Sequence, residues 1–227
     1  MSLKSKLSQI KENIFAAKEK SGLGSSVKII AVTKTRPFSI IRECYQSGIK
    51  SIGENRVQEA DYKFKSFLDM PEMERRFIGH LQSNKINKCL ELFDTIDSID
   101  SVKLSKKISN KGTHLGKTIP VLLEVNTSGE IQKHGFLPGE EDEMLSCLEL
   151  PGINVKGLMT VGPNTNDEKK IRNSFIRLRN LKTSLNEQFG GAHLSELSMG
   201  MSGDYQCAVE EGSTMVRLGT ILFGPRL

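Results

Sequence analysis

The feature that most constrains this chain is an alternation of two periodicities. Runs of β-branched and aliphatic residues occur eight times, and each is followed by a stretch with helical spacing or by the end of the pattern. The predicted strands cover residues 27–34, 50–53, 75–79, 95–99, 119–125, 155–161, 194–199 and 215–218. Helical patterns fall between them over 38–47, 55–68, 83–92, 101–110, 140–149, 167–189 and 204–211, and another precedes the first strand over 2–20. In that first helix Leu3, Leu7, Ile10 and Ile14 share one stripe, and Gly22 and Gly24 stop it. The longest helix carries Ile171, Phe175, Leu178, Leu181, Leu185 and Phe189 on one face. Strand, helix and strand in succession imply a parallel pair. Eight such units predict one α/β domain over residues 1–227, a (β/α)8 TIM-type barrel with an extra N-terminal helix that plugs or flanks it. An open doubly wound sheet is the alternative, and the regularity of the units favours closure.

Composition narrows the function classes. Hydrophobic residues make up 37% and charged residues 26%, enough for a buried core and a charged surface. No apolar run reaches membrane-spanning length, and the start, MSLKSKLSQIKENIFAAKEK, is too charged for a secretory signal, which predicts a cytoplasmic location. Cys44, Cys89, Cys147 and Cys207 are widely spaced, and His80, His114, His134 and His193 are scattered, so free thiols and no metal site are expected. The net charge is +5, but basic residues are interleaved with acidic ones, and three tyrosines with no tryptophan make a poor base-stacking platform. A basic mouth for a small anion explains the excess without nucleic acid.

In a closed barrel, function sits where the strands end. The predicted ends are Thr33-Lys34-Thr35, Gly53-Glu54-Asn55, the segment 79–85 with His80 and Asn84, Glu124-Val125-Asn126, Met159-Thr160-Val161-Gly162, Ser198-Met199-Gly200-Met201-Ser202-Gly203-Asp204 and Arg217-Leu218-Gly219-Thr220. Lys34 closes the first strand. Partial desolvation at a sheet rim lowers an amine's pKa, and a neutral amine is what imine formation with an aldehyde requires. A strand-end lysine that simply extends to water is the plain alternative. The last two rims carry Gly200, Ser202, Gly203, Gly219 and Thr220, suited to a phosphate; ordinary turn glycines and a helix cap would read the same way. A ligand with both an aldehyde and a phosphate satisfies both ends, and pyridoxal 5′-phosphate is such a molecule. Arg217 could then reach its pyridine nitrogen. A guanidinium donates there and accepts no proton, which weakens the ring as an electron sink. A salt bridge to a rim carboxylate is the competing role for Arg217.

The segments IIAVTKTRP, SIGENRVQEA, FIGHLQSNK, LLEVNTSGEIQKHGF, GLMTVGP, LSMGMSGDY and VRLGTILFG appear in this order. Together they resemble the pyridoxal-phosphate homeostasis proteins, single-domain relatives of the barrel half of bacterial alanine racemase, from about residue 27 to Gly224. The resemblance implies that Lys34 forms the imine, that Ser202, Gly219 and Thr220 hold the phosphate, and that Arg217 faces the pyridine nitrogen. It also implies that Asn55, Asn84, Ser198 and Met199 line the pocket. No residue is assigned a catalytic role: such proteins are thought to buffer the cofactor or deliver it to apo-enzymes, and a monomer is expected. Arg36 departs from a second lysine common at that place. The competing class is a racemase-like enzyme. The racemases resembled here need a second domain and a tyrosine acid, whereas this chain reaches Leu227 with the barrel just complete. Among Tyr45, Tyr62 and Tyr205 only Tyr205 follows a strand-end loop, at an expected helix start. A lysine-dependent aldolase fits less well, because it has no use for paired phosphate loops. Lys133, beyond the fifth strand, is either a solvated loop lysine or a second amine or loop anchor at the mouth.

Overall fold

The strands are short: β1 Lys28–Val32, β2 Ser51–Glu54, β3 Glu74–Phe77, β4 Thr95–Ile99, β5 Ile119–Glu124, β6 Ile153–Met159, β7 Glu196–Met201 and β8 Met215–Leu218. In the computed structural model, which describes residues 2–23 and 26–225, they pair in parallel and in chain order, and β1 closes on β8 through Lys28↔Met215 to Ala31↔Leu218. The closed (β/α)8 barrel expected from the alternation is therefore the fold. Helices α1 Leu3–Ser21, α2 Phe38–Gln46, α3 Val57–Lys63, α4 Ile86–Leu92, α5 Val102–His114, α6 Glu141–Leu148, α7 Glu168–Phe189, α8 Tyr205–Glu210 and α9 Thr220–Phe223 surround it.

Caps define the helix ends that the sequence marked. The Ser2 hydroxyl accepts from the Ser5 amide at 3.2 Å, and Gly22 ends α1 in the left-handed region at φ 65°. Gly24, also expected to stop this helix, lies outside the described residues, as do Met1, Arg226 and Leu227. The Asp167 carboxylate accepts from Lys169 and Lys170 at the start of α7, and Gly190 closes it at φ 82°. Phe175, Leu178 and Leu185 of α7 are fully buried in the layer between helices and sheet. Helix α1 flanks the barrel: it lies on α8 and α9, with the Asn13 amide donating to the Tyr205 hydroxyl at 2.8 Å and Lys6 Nζ to the Leu222 carbonyl at 2.9 Å.

Several boundaries differ from expectation. β1 stops at Val32, two residues short of Lys34. The helix expected over 55–68 is only Val57–Lys63; after it Phe64 and Phe67 fold into an edge-to-face aromatic group with Phe38 and Phe93. Burying those rings outweighs continuing the helix. The fourth helix opens with a 3₁₀ turn over Ser83–Lys85, and α5 runs on to His114. β6 begins at Ile153 and β7 runs on to Met201, and α9 was not expected.

The barrel interior is layered. Toward the strand starts Arg76, 2% exposed, donates to both Asp97 carboxylate oxygens at 3.0 and 2.8 Å and to Glu74 at 3.0 Å. Ile30, Leu122, Met159 and Met215 pack above it. Glu124, Ser198 and Arg217 follow two residues further along or at the neighbouring register, at the strand ends. The centre is thus a packed apolar layer between a charged layer toward the strand starts and a polar layer at the strand ends.

Candidate cofactor-binding site

Lys34 lies just past β1, in a hydrogen-bonded turn rather than on the strand. The Arg36 amide donates to the Thr33 carbonyl at 3.0 Å, which makes Lys34 and Thr35 the central residues. Lys34 is half-buried. It keeps the strand's alternation with Ile30, whose side chain is in the interior layer. Thr35 has φ 63°, the one positive value at a non-glycine among the described residues. A β-branched residue there is strained by about 1–3 kcal/mol. Its amide donates to Glu59 Oε1 at 2.5 Å, and Lys63 Nζ bridges Glu59 at 2.9 Å to Glu54 at 2.7 Å. Burial pushes the Glu54 carboxyl up despite bonds from Lys63 and Thr33. For Glu59, burial acts upward but the bonds from Lys63 and the Thr35 amide prevail and hold it down. Arg36 does not face the mouth: its guanidinium donates to the Gly224 and Pro225 carbonyls at 2.9 and 2.8 Å.

On β8, the neighbour of β1, Arg217 is 4% exposed and donates to the Ser198 carbonyl at 2.7 Å, the Ser198 hydroxyl at 2.8 Å and the Thr160 carbonyl at 2.6 Å. Its bonds thus go to neutral oxygens. Burial lowers its pKa, while Asp97, Glu124 and Asp204 act the other way at longer range; a guanidinium stays charged throughout. The two loops chosen as a phosphate cradle do meet. The Ser202 hydroxyl accepts from the Gly219 amide at 3.3 Å and the Ile221 amide at 3.2 Å, so backbone donors of the β8 rim point at the oxygen supplied by the β7 rim. Thr220 is exposed beside them, and a Cβ on Gly203 would meet nothing within 4 Å. Donors aimed at one oxygen suit an oxyanion.

Asn55 follows β2, and its Oδ1 is buried without a partner, an orphaned acceptor of the sort a bound group satisfies. Gly79 lets this segment in: a Cβ there would stand 2.2 Å from the Asn55 carbonyl oxygen. Asn84 is exposed in the 3₁₀ turn. Met199, expected at the pocket, has its side chain fully buried in the layer between sheet and helices, because it alternates with the inward Ser198, and its carbonyl accepts from Ser213 at 2.8 Å. Tyr205 is likewise turned away, toward Asn13 of α1.

Two features escape the sequence, and for a third, Lys133, the structure decides between the alternatives offered. Glu124 is half-buried at the mouth, and burial raises its carboxyl to about 7, against Arg217 and His80 and together with Asp100. His80 and His134, read as scattered, stack with ring centroids 3.9 Å apart and planes 15° apart, and His80 Nδ1 lies 3.0 Å from Asp100. Their ligand atoms and that of Asp100 fall within 4.8 Å of one another. With the rings stacked, their in-plane nitrogen lone pairs lie in nearly parallel planes, so both rings cannot point at one ion without turning out of the stack. Lys133 pairs with Glu130 and donates to the Gly162 carbonyl at 2.7 Å, with its side chain 19% exposed. It is thus an anchored loop residue, not a solvated one. No signal short of the folded loops joins these residues.

A closed barrel with a lysine in the turn after β1 and a buried arginine on β8 defines a class that the comparisons with known proteins specify. The profile of the family described as alanine racemase, N-terminal domain, matches residues 5–226. A pyridoxal phosphate homeostasis protein of Aquifex aeolicus is 40% identical over 223 residues, 97% of each chain. The one of Mus musculus is 39% identical over 210 residues, 88% of this chain and 77% of that one. The structure of PipY from Synechococcus elongatus with pyridoxal phosphate bound superposes with TM-score 0.86 at 34% identity, over 98% of this chain and all of that one. Alanine racemase of Clostridium difficile shares the fold, with TM-score 0.72 at 16% identity, over 97% of this chain and 57% of that one. The chain belongs to the family of the pyridoxal phosphate homeostasis proteins.

Proposed function

We propose that this protein binds pyridoxal 5′-phosphate covalently at Lys34 and serves cofactor homeostasis, holding the cofactor and handing it to apo-enzymes without robust turnover. The observation that carries this is the pairing, at one barrel mouth, of the Lys34 turn with the Ser202–Gly219–Ile221 cradle. The relatives bear the name of that function, and PipY holds the cofactor. When bound, the cofactor supplies an aldehyde that condenses with a primary amine with loss of water. The chain supplies the rest. Lys34 offers the amine. The amides of Gly219 and Ile221, with the hydroxyls of Ser202 and Thr220, offer donors to the phosphate. Asn55 offers an unused acceptor, and Arg217 a fixed cation that cannot take up a proton.

An active-site tyrosine acid finds no support. Tyr205 bonds to Asn13, Tyr62 is 95% exposed on α3, and Tyr45 stacks under Lys50. The test is an absorbance spectrum of the purified protein with borohydride reduction and peptide mapping. The cofactor should be fixed on the peptide that contains Lys34, and Lys34→Ala should lose the coloured band. A retained band in Lys34→Ala contradicts the assignment. Turnover of L-alanine at usual enzyme rates of about 1 s⁻¹ or more contradicts the non-catalytic role.

A further inference from the structure

The turn that carries Lys34 is held from behind by a buried charge network. Thr33 precedes Lys34, and its hydroxyl donates to Glu54 Oε1 at 2.6 Å while its carbonyl accepts from Lys63 Nζ at 2.9 Å. Thr35 follows Lys34, and its amide donates to Glu59 Oε1 at 2.5 Å. Lys63 Nζ ties the two sides together, 2.7 Å from Glu54 and 2.9 Å from Glu59. The Lys63 side chain is 7% exposed and that of Glu54 is 0% exposed. Both neighbours of Lys34 therefore lead to the same cation, Thr33 directly and Thr35 through Glu59.

This network stands where the backbone is least at ease. A hydrogen-bonded turn with positive φ at its third position favours glycine or asparagine, and this one has threonine at φ 63°. Left alone, such a turn relaxes by turning over the peptide between its two central residues. That would withdraw the Thr35 amide from Glu59 and change the backbone angle from which the Lys34 side chain departs. Strain of this kind persists where surrounding contacts over-determine it, and it clusters at functional sites.

We propose that Glu59 and Lys63 are positioning residues for the Lys34 amine: they hold Thr35 in its left-handed conformation and so fix the turn from which Lys34 reaches an aldehyde-bearing ligand. This inference rests on the reading that Lys34 is the attachment residue. Glu59 acts directly on Thr35, and Lys63 orients Glu59 while anchoring Thr33 and Glu54. Glycine adopts φ near 63° without penalty, so the role of Glu59 should become dispensable when residue 35 is glycine.

The experiment compares the parent protein, Glu59→Ala, Thr35→Gly and the double variant. Two rates are measured on each ligand-free protein: attachment of pyridoxal phosphate, trapped by borohydride and located by peptide mass spectrometry, and acetylation of Lys34 by trace acetic anhydride relative to exposed lysines. Melting temperature is followed in parallel. Glu59→Ala should slow attachment by roughly tenfold, because small misplacements of a reacting group lower rates steeply. Adding Thr35→Gly should bring the rate back to within about threefold of the parent without restoring the melting temperature. If Glu59→Ala does not fold, Glu59→Gln keeps an acceptor but loses the charge toward Lys63; it should show a smaller slowing, again relieved by Thr35→Gly. A Glu59 variant that attaches at the parental rate overturns the proposal. So does a slowed variant that Thr35→Gly fails to rescue, since a purely structural role predicts that pattern. Trapping on a lysine other than Lys34 in the parent protein would instead refute the attachment site, a separate result.

Discussion

The guanidinium of Arg217 and the backbone and side chain of Ser198 form a two-point contact across the β7–β8 pair, at 2.7 Å to the carbonyl and 2.8 Å to the hydroxyl. A third bond, to the Thr160 carbonyl at 2.6 Å, joins β6 to the same group. One cation thus ties three strand ends at the mouth. Ser198→Ala removes one of the bonds and should destabilise the fold by about 1 kcal/mol in urea titration. Arg217→Met leaves two buried carbonyls without this donor and should lower stability by roughly 2–4 kcal/mol. Equal losses for the two variants would show that the carbonyl contacts contribute little.

The cradle between the last two rims predicts selectivity for the phosphate. Ser202 organises the Gly219 and Ile221 amides, and Thr220 adds a hydroxyl at the same edge. Ser202→Ala combined with Thr220→Ala should weaken binding of pyridoxal phosphate by about tenfold or more, since charge-assisted bonds contribute on the order of 1.5–3 kcal/mol each. Binding of pyridoxal, which lacks the phosphate, should change little. Equal losses for both ligands would place the phosphate elsewhere.

Glu124 makes the mouth sensitive to pH. Burial raises its carboxyl to about 7 from an ordinary 4.5. Between those values the folded chain binds a proton that the unfolded chain has released, so this group's contribution to stability is complete below about pH 4.5 and falls as pH rises through about 7. Glu124→Gln should therefore match the parent near pH 4 and exceed it in stability at pH 8, read as urea midpoints. A stability difference that does not vary with pH would show that Glu124 ionises at its ordinary value in the folded protein.

The fold was legible because several strands are compact aliphatic runs and the longest helices carry a stripe and a cap, as in Ile119–Glu124 and in α7 behind Asp167. Its boundaries were less so. Lys34 continues the alternation of β1, and nothing local reveals that a threonine after it takes a left-handed conformation. Arg217, Ser198 and the two-rim cradle followed from the rule that chemistry collects at strand ends. Met199 did not, because only the register of β7 decides which of two adjacent residues faces inward. The Glu54–Lys63–Glu59 network and the His80–His134 stack depend on how helices and loops settle, which periodicity does not encode.

Lys133 ties the loop after β5 to the mouth. The loop after β5 returns to its own strand end, with the Phe136 amide donating to the Glu124 carbonyl at 2.8 Å and the Asn126 amide to the Phe136 carbonyl at 2.9 Å. Lys133 extends that attachment to the next rim through the Gly162 carbonyl at 2.7 Å, and Glu130 neutralises it locally. An amine held in this way acts as a strut for the loop. Lys133→Ala should leave the equilibrium attachment of pyridoxal phosphate at Lys34 close to that of the parent. It should raise amide hydrogen exchange across residues 131–135, around Ile131, which is 100% exposed, and less over 128–130, where the Asn126 side chain accepts from the Ser128 hydroxyl and the Gly129 amide and donates to the Glu130 carbonyl. The rate of transfer to an apo-enzyme acceptor in excess should change with it, because the loop borders the mouth. Faster exchange with unchanged transfer would make the strut purely structural, whereas unchanged exchange would show that the Gly162 contact does not restrain the loop at all.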